Sequence, residues 1–210
     1  MAPVGATGCE GQSTPSKWLT GLAYGYVKSR LRFEGDLDAD LQQHALLASV
    51  GYRWTPDTSA QASAGSVLSG TLTASGTEHT LQTGFVGSLQ LTHQWLEPGK
   101  TFLLTSFAFG FSNNDSVAPS GEVAPLMAYD ARISAQYGWA VLDGLRPFLL
   151  LRAFGGPVAW RESGEDLVGA DRDHYALGAG VLWQLDRLGV ALSGAALGER
   201  GVSLGVSYGL

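Results

Sequence analysis

A set of charged side chains is spaced so that its members could act together. Lys28, Arg30 and Arg32 alternate along one stretch and Arg53 sits near the end of a second. Asp130 and Arg132 stand two apart in a third, and Arg146 and Arg152 share parity in a fourth. In an extended chain, residues two apart point the same way. Each group therefore shares a face, beside Ser, Thr, Gln and Tyr. Long cations gathered in one interior favour anions. They can equally fold across the space, pair with Asp130 and hydroxyls, and fill it. A second stretch, Asp171-Arg172-Asp173-His174-Tyr175, places a carboxylate next to an imidazole, a pairing that can orient and activate water. A third, Asp36-Leu37-Asp38-Ala39-Asp40, has the opening rhythm of a calcium loop. Leu41 at its sixth position and Leu47 at its twelfth exclude an EF-hand. His44, His79, His93 and His174 are scattered without zinc spacing, and neither a G-x-S-x-G nor a phosphate-binding loop occurs. No catalytic residue, metal or cofactor is expected.

The elements that must position these residues are strands. Ten segments alternate with period two: Trp18 to Phe33, Gln43 to Trp54, Ala60 to Leu72, Leu81 to Trp95, Thr101 to Phe111, Leu126 to Val141, Arg146 to Phe154, Tyr175 to Leu185, Leu188 to Leu197 and Arg200 to Leu210. None carries a 3.6-residue stripe. In the first, Leu19, Ala23, Val27, Leu31 and Phe33 share one face, and Thr20, Tyr24, Tyr26, Lys28, Arg30 and Arg32 the other. Thr55-Pro56-Asp57, Glu97-Pro98-Gly99-Lys100, Leu142-Asp143-Gly144 and Asp186-Arg187 supply tight turns. The other connections are longer and more polar, the largest being 112–125 and 160–174. Residues 1–16 read as a flexible leader and 17–210 as one β domain.

The last segment, R-G-V-S-L-G-V-S-Y-G-L, puts Val202, Leu204, Val206, Tyr208 and Leu210 on one face and Gly and Ser on the other. It resembles the last strand of the bacterial outer-membrane β-barrel family, with Leu210 where that family usually ends on Phe. The resemblance implies an all-β fold, a closed antiparallel transmembrane barrel of ten strands with short periplasmic turns, longer extracellular loops and both termini periplasmic. Composition agrees. The 210 residues hold 29 Gly, only 15% are charged, and mean hydropathy is +0.06 without an apolar run long enough for a membrane helix. A net charge of −6 argues against nucleic acid. Met1-Ala2-Pro3-Val4 shows no secretory signal, so a mature chain behind an added Met is expected. Cys9 is the single cysteine and excludes an internal disulfide. Ala6-Thr7-Gly8-Cys9 is a poor lipoprotein box, and a free thiol is expected there.

An apolar face turned outward fits the aromatic residues. Trp18, Trp54, Trp95, Trp139 and Trp183 fall at the short-turn rim, with Phe33, Phe111, Tyr129 and Tyr175 near the other, as two membrane-interface girdles. A strand of about eleven residues at ~3.3 Å each, tilted ~40°, spans roughly the 25 Å apolar band of such a barrel. Lys28, Arg30, Arg32, Arg53, Asp130, Arg132, Arg146 and Arg152 then point into the lumen or lie at its mouths. With seven cations to one acid, water is expected inside. The outer loops gather most of the acids, Glu199 among them, as a solvated rim. The stretch around Asp173 and His174 is similar in position to an Asp–His pair of the ten-stranded omptin proteases. Arg172 stands where that family's Asp would be, and Gly76-Thr77-Glu78-His79 lacks the second acid pair. The expected function is a non-enzymatic envelope scaffold or binding protein of the Gram-negative outer membrane. Its partners would be outer-membrane lipid, lipopolysaccharide and other envelope proteins met through loops 112–125 and 160–174. A narrow channel for small anionic solutes is the alternative, and an omptin-like surface protease a remote one.

Overall fold

A computed structural model describes residues 16–96, 101–162 and 164–210. The leader with Cys9 and the expected turn at 97–100 lie outside the described residues. Thirteen antiparallel strands form one sheet: β1 (Trp18–Phe33), β2 (Leu37–Thr55), β3 (Thr58–Ala74), β4 (Thr77–Leu81), β5 (Gly84–Gln94), β6 (Thr101–Val117), β7 (Val123–Trp139), β8 (Leu145–Gly155), β9 (Pro157–Glu162), β10 (Glu165–Asp171), β11 (Tyr175–Leu185), β12 (Leu188–Gly198) and β13 (Arg200–Gly209). The only helical residues described are a single 3-10 turn at Glu34–Asp36.

The sheet closes on itself in two different ways. At the short-turn end the ring runs β1, β2, β3, β5, β6, β7, β8, β11, β12, β13 and back to β1. At the far end it runs β1, β2, β3, β4, β6, β7, β9, β10, and β10 pairs directly with β1 from Leu31↔Asp171 to Phe33↔Gly169. The β12–β13 hairpin stops at Gly198–Arg200, beneath that junction. The barrel therefore narrows by two strands toward the far end. The first and last strands meet at the wide rim, where Leu210 N donates to Trp18 O at 3.0 Å.

The ten alternating segments are all present as strand. The additional strands β4, β9 and β10 lie in stretches expected as loops. The two largest of those stretches are mostly paired backbone: β6 continues to Val117, β7 begins at Val123, and β9 with β10 forms a hairpin. Their strand signal was weak because polar residues occupy both faces, Ser112, Asn114 and Ser116 inward against Asn113 and Asp115 outward. Such a pattern has no hydrophobic period to read.

The polarity of the outward face changes along the strands. On β2, Leu46, Ala48, Val50, Tyr52 and Trp54 point outward in the wide part, while Asp38, Asp40, Gln42 and His44 hold the same parity further along. Their inward neighbours Ala39 and Leu41 are buried. A β-bulge interrupts the β2–β3 register between His44 and Ala45, at the level of the change. Bulges add twist and re-aim side chains, and this one adjusts the wall where the surroundings switch.

Candidate functional site

The narrow ring is filled with apolar side chains. Leu31 and Phe33 from β1, Ala39 and Leu41 from β2, Leu72 and Ala74 from β3, Leu81 from β4, Ala124, Leu126 and Ala128 from β7, and Val158 and Trp160 from β9 form one buried cluster, with Leu167 of β10 packed against it. Trp160, 1% exposed, reaches across the ring. Its indole lies 5.6 Å from the Phe33 ring on one side and 5.0 Å from His79 on the other. Its Nε1 donates to Ser116 Oγ of β6 at 3.0 Å, and that hydroxyl donates to Ala124 O at 3.0 Å. A buried indole N–H needs such a partner. Phe33 packs against Gly169, where an added Cβ would come within 2.6 Å of the ring.

Beneath this plug sits a charged cluster. Arg132 forks onto Glu199, with its two terminal nitrogens 3.1 and 3.2 Å from Oε1 and Oε2, and its Nε donates to Asp130 Oδ2. Arg152 donates to Glu199 Oε1 at 3.1 Å. The Phe154 ring lies under the Arg132 guanidinium, 5.6 Å from its centroid. Glu199 is 2% exposed and sits in the β12–β13 turn. Gly198 at φ 71° makes that turn; a Cβ there would fall 1.7 Å from Tyr175 O. The acid that balances the lumenal arginines thus comes from a hairpin tip. A guanidinium paired bidentately with a carboxylate is stable in such a desolvated site only if both charges remain.

Below the cluster the interior is mixed. Gln90, Thr92, Gln94, Ser134 and Gln136 are buried inward, and Phe102, Leu104, Phe148, Leu150, Leu182 and Ala191 pack together beside them, with Leu104 directly opposite both Gln94 and Gln136. Outside, the wide part is apolar all round: Leu22, Val50, Leu89, Phe107, Ile133, Leu149 and Leu204 are exposed.

No family model matches this chain, and no curated protein does. Solved structures do match. The outer membrane protease OmpT from Escherichia coli superposes with a TM-score of 0.60 at 10% identity, over 96% of this chain and 100% of that one. The translocator domain of autotransporter NalP from Neisseria meningitidis gives 0.53 at 13% identity, covering 95% and 91%. The outer membrane protein OprG from Pseudomonas aeruginosa gives 0.53 at 8% identity, covering 96% and 99%. The fold is that of a bacterial outer-membrane β-barrel. The exposed apolar belt is the surface with which such a barrel sits in its membrane.

Seen as an outer-membrane barrel, the chain places its expected site residues in three groups. Arg53, Asp130, Arg132, Arg146 and Arg152 point inward. Arg30 and Arg32 do not. Both lie on the outer face of β1 above the belt, Arg30 donating to Asp173 at 2.8 to 3.1 Å and Arg32 to Asp38 at 3.0 Å. Lys28 shares that outward face, half-buried. The physical reason is that both faces of β1 carry apolar residues within the belt: Leu19, Ala23 and Val27 point inward with Leu31 and Phe33, while Leu22, Tyr24 and Tyr26 point outward on the same parity as the three cations. Phe33, expected in an interface girdle, is accordingly inside the barrel, 2% exposed. The other girdle residues, Trp18, Trp54, Trp95, Trp139, Trp183, Phe111, Tyr129 and Tyr175, all face outward and are exposed.

Charges above the belt are shifted by their neighbours. Arg32 holds the Asp38 carboxyl below the usual range, and Arg161 does the same for Asp166. Asp171, buried at the β10–β1 junction, is pushed up to about 6 by burial and by the nearby Glu199 and Asp130 carboxylates. Asp173 serves Arg30, and among the described residues no hydrogen bond joins it to His174. Sequence reasoning missed Glu199, Trp160 and His79 as interior residues. The alternation Val158, Trp160 against Pro157, Ala159, Arg161 was the available signal for Trp160.

Proposed function

We propose that this chain is a closed outer-membrane barrel that serves as an envelope scaffold or binding protein, without enzymatic activity, through the surface it raises above the membrane. The observation that carries the reading is the Trp160-centred plug, which packs side chains from strands all round the narrow ring. A passive channel needs a continuous polar path. Here the two central guanidiniums are engaged by Glu199, and an apolar layer lies above them. The binding surface is the outside of the narrow ring, where Arg32, Asp38, Arg161 and Asp166 are exposed, together with the connections at 118–122 and 172–174. Its mixed charges suit a polar macromolecular partner in the envelope. The absence of enzymatic activity is supported by Asp173 being committed to Arg30, away from His174.

Conductance in a planar lipid bilayer tests this reading. A silent membrane, with insertion verified by heat-modifiable gel mobility, is the expected result. Discrete steps with anion preference would overturn it in favour of a channel lined by Arg132 and Arg152.

A further inference from the structure

Lys28 and Arg200 stand directly opposite each other across the β1–β13 pair. Both point outward, and Tyr26 and Val202 occupy the next outward step on the membrane side. Opposed residues in an antiparallel pair bring their Cβ atoms within about 4.5–5.5 Å, and like charges there are destabilising. The nearest carboxylates do not form an ion pair with either cation: Asp40, outward on β2, lies one diagonal step from Lys28 and directly opposite Arg30. Asp173 is held by Arg30, and Asp38 is shared by Arg32 and Arg172. Among the described residues, neither Lys28 nor Arg200 takes part in an ion pair.

Just below this pair the outer surface becomes hydrocarbon-like, with Leu204, Val206 and Leu22 exposed. Tyr26 marks the edge, its hydroxyl donating to Gln42 Oε1 at 2.9 Å. An amphipathic ring of that kind belongs at headgroup depth.

We propose that Lys28 and Arg200 together bind the phosphate monoester of an outer-leaflet lipid headgroup, whose acyl chains lie down the belt over Tyr26, Val202 and Leu204. Charge selects the monoester. It carries about −1.5 to −2 at pH 7, matching two cations, whereas a diester carries a single charge. Position selects the lipid over free phosphate, because the pair sits where headgroups meet the belt. The inference rests on the outer-membrane reading of that belt. It is independent of the sealed interior, so a conductance result leaves it standing or falling on its own test.

The test titrates detergent-solubilised protein with bisphosphorylated lipid A, with the same lipid dephosphorylated, and with inorganic phosphate. The native chain is expected to bind the phosphorylated lipid more tightly than the dephosphorylated one, and to lose part of that preference as pH falls from 7.5 to 5, because the monoester drops from two charges toward one through its second pKa near ~6. Converting both cations in K28Q/R200Q should weaken binding of the phosphorylated lipid roughly thirty-fold, at about a factor of five per surface cation. Affinity for the dephosphorylated lipid should stay unchanged. K28R should bind as the native chain does, and so should R161Q, which alters a distant exposed cation. Equal affinity of the native chain for the two lipids overturns the proposal whether or not the double variant folds. Full competition by inorganic phosphate at the lipid's own concentration overturns the lipid as the source.

Discussion

The two halves of β2 have the same backbone and opposite surfaces. From Leu46 to Trp54 the outward residues are apolar and the inward ones are Leu47, Ser49, Gly51 and Arg53; from Leu37 to Gln43 the outward residues are Asp38, Asp40 and Gln42, and Leu37, Ala39, Leu41 and Gln43 are inside. The first half is built as in a membrane protein and the second as in a soluble one. Strand geometry guarantees two faces, but the medium decides which is apolar. In the bilayer an outward Leu is at home; in water the same residue gains about 1.5–3 kcal/mol by burial. One strand that crosses from lipid into water therefore exchanges its faces, and here the exchange coincides with narrowing from the wide ring to the sealed one.

The sharpest way to break the contrast is to remove side chains from each half. Trp160→Ala should cost about 3–5 kcal/mol, since it opens a cavity and leaves Ser116 without its donor. Trp95→Ala, on the lipid-facing rim, should cost far less; urea unfolding in vesicles measures both. Glu199→Gln, at the boundary between the halves, should cost about 3–5 kcal/mol, because Arg132 and Arg152 lose the charge they share. A Glu199→Gln variant as stable as the native chain would mean the cluster is hydrated.

Adding a charge discriminates in the other direction. Ile133→Arg, at an outward belt position 62% exposed, should cost about 2–4 kcal/mol in a bilayer. Thr80→Arg, outward and exposed on β4 of the narrow ring, should be neutral within about 0.5 kcal/mol. Equal effects at the two sites would erase the distinction between belt and extension.

Asp171 gives a smaller effect with a pH signature. Its folded pKa of about 6 lies above the usual carboxylate value, so the folded state binds the proton more tightly. Stability is then highest below pH ~4, falls as pH rises from ~4 to ~6, and is flat above. Asp171→Asn should remove that fall and stabilise the chain at pH 7.5 by about 3 kcal/mol, with no gain at pH 4. The smallest effect is expected at the exposed Arg161–Asp166 pair, where Arg161→Ala should leave the unfolding curve unchanged.

The same contrast explains what could be read in the chain. Period-two alternation in the wide part was legible because lipid and lumen differ strongly, and strands such as β13, with Val202 to Leu210 outward against Gly and Ser inward, appear as expected. Strands β4, β9 and β10 were illegible because they are short and carry charges, as in Glu78, Arg161 and Asp166. On β1 the face of Leu19, Ala23 and Val27 reads as the more apolar one, yet it points inward along the whole strand, and taking it as lipid-facing placed Lys28, Arg30 and Arg32 inside and Phe33 outside. Arg132 and Asp130 lie within the belt on β7, where the inward face is the polar one. Glu199 was missed because a turn between two strands looks like rim, and only the closure of β10 on β1 above it makes that turn interior.

Site-directed spin labelling tests the central claim most directly, with the label placed singly at Ile133, Thr80 and Leu41 in a chain carrying Cys9→Ser. The account predicts that oxygen dissolved in the bilayer relaxes the label at Ile133, that a water-soluble nickel complex relaxes it at Thr80, and that neither reaches Leu41. Free access of the nickel complex to Leu41 would mean that the narrow ring holds water, and the sealed barrel would be contradicted.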